Sequence, residues 1–195
     1  MTSIGALLFA AIRDRPDREA VFEALASHPS DMVRVWTAFA LAADADLPLP
    51  RRLEASRRFA TDRNMSVREC AWSGFRAYVA RGLDERLRLL EPWVHNPDEN
   101  IRRCAIEGMR PRGVWTAHIP ALAQAPERAM VLLEPVRSDT ARYVQNAVAN
   151  WLNDASKSRP DWVRGVCERW TEESPTRETA WIVNRGLRTL RKRGA

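Results

Sequence analysis

The sequence returns to one pattern at a regular interval. Val33-Arg34-Val35-Trp36-Thr37-Ala38-Phe39, Val67-Arg68-Glu69-Cys70-Ala71-Trp72-Ser73 and Ile101-Arg102-Arg103-Cys104-Ala105-Ile106-Glu107 each open with a branched aliphatic residue and an arginine. These starts lie 34 residues apart, and Val144 and Ile182 continue the series after 43 and 38 residues. A turn rich in capping residues precedes each: Pro29-Ser30-Asp31, Arg63-Asn64-Met65-Ser66, Asn96-Pro97-Asp98, Ser138-Asp139 and Ser174-Pro175. Second helical patterns lie between them, over Asp17 to Ser27, Pro50 to Thr61, Leu83 to His95, Pro126 to Arg137 and Pro160 to Thr171. Two helical patterns per period describe helix pairs, each too small to bury its apolar face without its neighbours. No stretch alternates as a strand would. The expected fold is all-α, a HEAT-like α-solenoid forming a right-handed superhelix of about five helix pairs. Residues 1–195 are expected to form a single domain, with Ala43 to Leu49 a turn and Arg110 to Pro120 the longest irregular stretch.

Charge and cysteine usage narrow the classes of partner. The net charge is +6, and all the lysine in the chain is Lys157 and Lys192, so its basicity is arginine. Such a balance suits a polyanion, and guanidinium groups suit phosphate. Cys70, Cys104 and Cys167 are an odd number at core-like positions, which points to a reducing interior and a cytoplasmic setting. His28, His95 and His118 share no metal-ligand spacing with them, so no metal and no cofactor is expected. Ile4 to Ile12 is apolar without a preceding basic run, which reads as a first helix and not a signal peptide. No segment is long enough to span a membrane. Trp36, Trp93, Trp151 and Trp170 fall in apolar stripes and are expected in the core. The basic end, Arg185, Arg188, Arg191, Lys192 and Arg193, suits either the last turn of a helix or a phosphate contact.

The stretch from Asn96 to Asp154 carries the most chemistry. Asn96 is a good N-cap, Pro97 suits the first helical position, and Glu99 completes a capping box. Ile101, Cys104, Ala105, Gly108 and Met109 then form one apolar stripe, which Pro111 ends. Val144, Ala147, Val148, Trp151 and Leu152 form the equivalent stripe one repeat later. Aligning Ile101 with Val144 sets Asn150 at the position of Glu107. At about 100° per residue, Glu107, Asn150 and Asp154 share a flank of their stripes, with Tyr143 beside them. Two neighbouring helices thus present acid, amide and aromatic groups from a common side, outside the apolar stripe.

Three strings in this region resemble a known family. They are Glu107-Gly108-Met109-Arg110-Pro111-Arg112-Gly113-Val114-Trp115, Val148-Ala149-Asn150-Trp151-Leu152-Asn153-Asp154-Ala155-Ser156-Lys157, and Trp181-Ile182-Val183-Asn184-Arg185-Gly186-Leu187-Arg188-Thr189-Leu190-Arg191-Lys192-Arg193-Gly194. Together they resemble the AlkC branch of the AlkC/AlkD DNA alkylation repair proteins, from about Asn96 to the C-terminus. The resemblance implies a monomeric DNA glycosylase that cleaves the N-glycosidic bond of cationic alkylated bases, such as 3-methyladenine. It implies double-stranded DNA on a concave face, with the base left in the distorted duplex, and a place in the cytoplasm at the nucleoid. It assigns catalytic acids to Glu107 and Asp154 and an aromatic contact to Trp115. Arg110 and Arg112 would grip phosphates, with Asn150, Tyr143, Arg185 and Arg188 as further DNA contacts. An alkylated purine is already a good leaving group, so the residue needed is a carboxylate facing the oxocarbenium-like sugar, not a strong acid.

The sequence departs from the family pattern in two places. Gly113-Val114 stands where the family reads Leu-Pro, and Trp72 falls where a further family acid is expected, with Glu69 one turn away. Alternative readings stand beside each assignment. Glu107 also suits a surface carboxylate paired with Arg103 or Arg110, Asp154 a helix-end cap, and Trp115 a hydrophobic plug. The alternative for the whole chain is a non-enzymatic HEAT-like module that binds damaged DNA or a protein.

Overall fold

The computed structural model describes residues 2–76, 82–113 and 116–193, and every regular element among them is helical. The chain divides into two compact units, Met1–Arg81 and Gly82–Ala195. Each is built of helix pairs of HEAT-like type.

The first unit contains α1 (Thr2–Ile12), α2 (Arg18–Ala26), α3 (Asp31–Ala43), α4 (Leu49–Ala60) and α5 (Met65–Arg76). Helices α1, α3 and α5 pack side by side in sequence order, while α2 and α4 form a second layer. Phe22 and Phe59 join that second layer edge to face at 6.4 Å. Gly5 permits the close approach of α1 to α3, because a Cβ there would lie 2.3 Å from that of Phe39.

The second unit contains α6 (Leu83–Leu90), α7 (Glu99–Gly108), α8 (Pro120–Gln124), α9 (Met130–Leu133), α10 (Arg142–Ala155), α11 (Pro160–Glu173), α12 (Arg177–Gly186) and α13 (Arg188–Arg193). Helices α7, α10 and α12 pack in sequence order as one layer. Trp93, Val94, Ile101, Leu132, Leu133, Val148, Trp151 and Trp170 are buried in this unit. Trp36, in the first unit, is only half-buried.

The repeated arginine has a structural reason. Arg34, Arg68 and Arg102 are the fourth residues of α3, α5 and α7. Arg34 donates to the carbonyls of His28 and Pro29, Arg68 to those of Asp62 and Arg63, and Arg102 to those of Asn96 and Pro97. The same guanidinium of Arg34 forks onto Asp62 at 2.7 and 3.0 Å, and that of Arg102 onto Asp139 at 2.6 and 2.9 Å. In α10 the position is Gln145, whose amide donates to the carbonyl of Asp139 at 2.7 Å. All three arginines satisfy carbonyls of their own entry turn that no helix would, and Arg34 and Arg102 also tie that turn to the next one.

Four expectations shift in register. The cap of α7 is Asp98, which accepts from the Asn100 N–H at 2.8 Å. Asn96 instead accepts from the Asp98 N–H and stays extended, as a residue before proline must. The last start in the series is Thr179, the third residue of α12, and Ile182 takes the place of Cys104. The patterns Leu83 to His95 and Pro126 to Arg137 are not single α-helices. Pro92 and Pro135 lack the N–H that an α-turn needs, so both stretches end in 3₁₀ turns, Glu91–His95 and Glu134–Val136.

Candidate functional site

The site is built where the end of α7 meets the second half of α10. Helix α7 stops at Gly108, and Pro111 bars its continuation. The buried indole of Trp151 donates to the carbonyl of Met109 at 2.9 Å, so the last residue before Arg110 is tied to α10. One turn after Trp151 stands Asp154.

Arg110 joins the two acids. Its Nε and one terminal nitrogen donate to Asp154 Oδ2 at 2.9 and 2.6 Å, and the other terminal nitrogen donates to Glu107 Oε2 at 3.0 Å. Lys157 donates to the second oxygen of Asp154 at 3.0 Å, and Arg103 stands 3.7 Å from the second oxygen of Glu107. Burial works against the charge on Arg110, but the two carboxylates outweigh it and raise its pKa above the usual arginine value. Glu107 and Asp154 are 3% and 4% exposed. Each is therefore a buried acid with more than one cationic partner, neither a surface ion pair nor a backbone cap. That burial also alters their expected stability cost, since removing one partner of such a cluster exposes the other to desolvation.

The other described candidate residues lie on α7, α10, α12 and α13 and in the loop after α7. Arg103 stacks on the Tyr143 ring at 4.1 Å. Arg188 donates to the Asn150 amide oxygen at 2.9 Å and to the Arg185 carbonyl at 2.8 Å. Arg188 has its pKa lowered by burial and then by the like charge of Arg185. Arg142 and Arg185 lie over the Trp181 ring at 4.0 and 5.6 Å. Arg112 donates to Ser158 Oγ at 2.9 Å. Trp115 lies outside the described residues. At Gly113 a side chain would meet the Thr116 backbone at 2.6 Å, so the loop is built for glycine where the family pattern has leucine.

Lys157, Ser158, Arg142, the Trp181 ring and the hydrogen bond of Trp151 escaped the sequence reading. Lys157 was findable, since it stands three residues after Asp154, in the turn that follows α10. Burial pushes the Cys70 thiol up to about 11 and the Cys167 thiol up to about 12, which disfavours the nucleophilic thiolate at both. Among the described residues no three His, Cys, Asp or Glu side chains are grouped to hold a metal, and no helix is long and apolar enough to cross a membrane.

A model of the DNA alkylation repair enzyme family matches residues 60–184. The chain belongs to that family. The match covers α7, α10 and most of α12, and extends further toward the N-terminus than the three strings do. Among solved structures, the chain is similar to the alkylpurine DNA glycosylase AlkC of Pseudomonas fluorescens, bound to DNA containing an abasic site analog. The TM-score is 0.78 with 28% identity, over 93% of this chain and 49% of that one. AlkD2 of Streptococcus mutans shares the fold at a TM-score of 0.73 and 22% identity, over 96% of this chain and 89% of that one. The uncharacterized protein YhaZ of Bacillus subtilis strain 168 is 37% identical over 119 residues, 61% of this chain and 33% of that protein. The chain thus spans about a third of YhaZ and about half of the AlkC chain.

Proposed function

We propose that this chain is a DNA glycosylase that hydrolyses the N-glycosidic bond of cationic alkylated bases in duplex DNA. The observation that carries the proposal is the pair of buried carboxylates, Glu107 and Asp154, gathered on one arginine at the family's own motif positions. The likeness to AlkC, whose structure holds DNA with an abasic site analog, supports it. Arginine stacked on Trp181 and Tyr143 supports DNA as the partner, since such guanidinium planes are pre-set and keep their edges toward phosphate.

In this reading Asp154 faces the deoxyribose. As the bond breaks, positive charge grows on the sugar, and a fixed carboxylate stabilises it without having to reorganise. Glu107 orients the attacking water. Arg112, Arg142, Arg185 and Arg188 hold phosphates, Asn150 sets Arg188, and Trp115 rests against the cationic nucleotide. The protein works as a monomer on a concave face, in the cytoplasm at the nucleoid, without metal or cofactor. The test is release of free base from a duplex containing 3-methyladenine, with binding followed in parallel. Binding without release would sink the enzyme.

One observation favours a second reading, a non-enzymatic module for damaged DNA. At the position where the family pattern carries another acid, α5 has Trp72, whose indole N–H donates to Glu69 at 3.2 Å. The same assay separates the two.

A further inference from the structure

We infer that Arg110 is a positioning residue, which holds the Glu107 and Asp154 carboxylates in one fixed arrangement toward the sugar instead of gripping a phosphate. The inference rests on the glycosylase reading and deepens it. Three observations carry it.

The first is donor direction. Arg110 has its Nε and both terminal nitrogens turned to carboxylate oxygens at 2.6 to 3.0 Å, and its side chain is nearly buried. A phosphate would have to take these donors from two buried acids and leave both short of a partner, which costs more than a surface contact returns. The second is anchorage. Trp151 holds the carbonyl of Met109, so the backbone that carries Arg110 is fixed to the helix that carries Asp154. The third is shape. Glu107 and Asp154 belong to different helices, and only a planar fork reaches both at once. An ammonium of the same charge makes a point contact. A carboxylate displaced by about 1 Å from its productive place costs about 100-fold in rate. The raised pKa of Arg110 agrees, because the cation is permanent.

The chemistry explains why a site would use such a group. Two carboxylates facing one sugar repel each other and lose their charge readily when buried. A shared guanidinium offsets that repulsion from behind and leaves their front faces to the substrate. Arg112 provides the contrast, since it donates to the Ser158 hydroxyl, which a phosphate can displace without stranding an acid.

The test uses the full chain with Arg110→Lys and Arg110→Gln, each checked by thermal melt so that rates are per folded molecule. A duplex with one 3-methyladenine gives the single-turnover rate, and a duplex with an abasic analog gives the affinity and its salt slope. Arg110→Lys is expected to release base at least about 10-fold more slowly, with affinity within about threefold and an unchanged salt slope. Arg110→Gln should release base more slowly still, with affinity again within about threefold. Guanidinium ion at tens of millimolar should partly restore a folded Arg110→Gln protein. The inference is overturned if Arg110→Lys keeps the wild-type rate, or if its loss lies in affinity with a slope flattened by about one unit. A wild-type chain that releases no base overturns the glycosylase reading instead. In that case DNA binding still decides for Arg110: an unchanged salt slope in Arg110→Gln supports the inference, and a slope flattened by about one unit overturns it.

Discussion

Arg102 lies in the first turn of α7 and Arg110 just past its end, and both reach a carboxylate supplied by the next repeat. Their surroundings differ in a way that separates fold from function. Arg102 forks onto Asp139 alone and spends its remaining donors on the carbonyls of its own entry turn. Arg34 does the same with Asp62 and its own turn. This is a device of the repeat, and it recurs because every repeat has an entry turn to close. Arg110 stands at a register that recurs as well, since Arg76 and Arg188 are likewise the twelfth residues counted from their helix starts. Its acids do not recur. At the register of Glu107 the other helices carry Phe39, Ser73, Asn150 and Arg185. A repeated ion pair is explained by the repeat, while an acid that appears once in the series asks for a reason of its own.

The comparison breaks most sharply if Arg102 is removed. Arg102→Ala leaves Asp139 buried without its fork and strands two carbonyls, so unfolding free energy should fall by about 3 kcal/mol. A urea titration measures this, and base release per folded molecule should stay within about twofold. A large loss of rate with intact stability would erase the distinction between the two arginines.

The second test inverts the first. Asp154→Asn should slow base release by about 100-fold, or about 2.7 kcal/mol of transition-state stabilisation. Binding to methylated duplex should stay within a few-fold or tighten, since an anion near phosphates is gone. Stability should fall by about 1 to 2 kcal/mol, because Arg110 and Lys157 lose a buried partner. Should the protein unfold while the rate per folded molecule survives, Asp154 is a structural residue like Asp139. Glu107→Gln is expected to follow the same course if that residue orients water.

Smaller effects sharpen the outer boundary of the site. With some four to six phosphate contacts, log K for duplex DNA should fall against log salt with a slope of about −4 to −5. Arg112→Ala should flatten it by about one unit, and affinity that ignores salt would point to a protein partner.

The smallest effect concerns Asp62. Burial alone would raise its pKa, but the hydrogen bond from Arg34 and the Asn64 N–H outweigh it and hold the carboxyl below its usual range. A carboxyl with a depressed folded pKa adds stability above its unfolded value, near 3.9, and loses it as the pH falls through the folded value. Melts of the wild type and Asp62→Asn should therefore differ at neutral pH and converge on acidification below about pH 4. An unchanged gap at acid pH would mean that the contribution is packing and not charge.

The starts of α3, α5, α7 and α10 lie within three residues of where the caps and the apolar period put them. Both are local signals: a side chain bonds its own backbone, and an apolar stripe recurs every turn. The misses are also local in origin. Asn96 and Asp98 are both good caps by residue type and both have extended backbone, but the chain turns helical only after the second, whose side chain accepts from the Asn100 N–H. Ile182 was read one turn late because Thr179, a polar residue, holds the buried start position through its bond to the Arg137 carbonyl. The helical period correctly put Glu107 and Asp154 on one flank and misjudged their burial.

What the sequence determined by itself is therefore the helical repeat, the family, and which acids stand alone in it. The repeat and the lone acids follow from spacing along one chain, and the family from three motif strings that resemble it. What the tertiary structure decided is that Arg110 stands between Glu107 and Asp154, and that Trp151 fixes the backbone beside it. A hydrogen bond between residues 44 positions apart leaves no periodic trace, because its geometry depends on how α7 and α10 pack against each other. A buried charge is likewise a property of what surrounds it, and periodicity alone cannot report its cost.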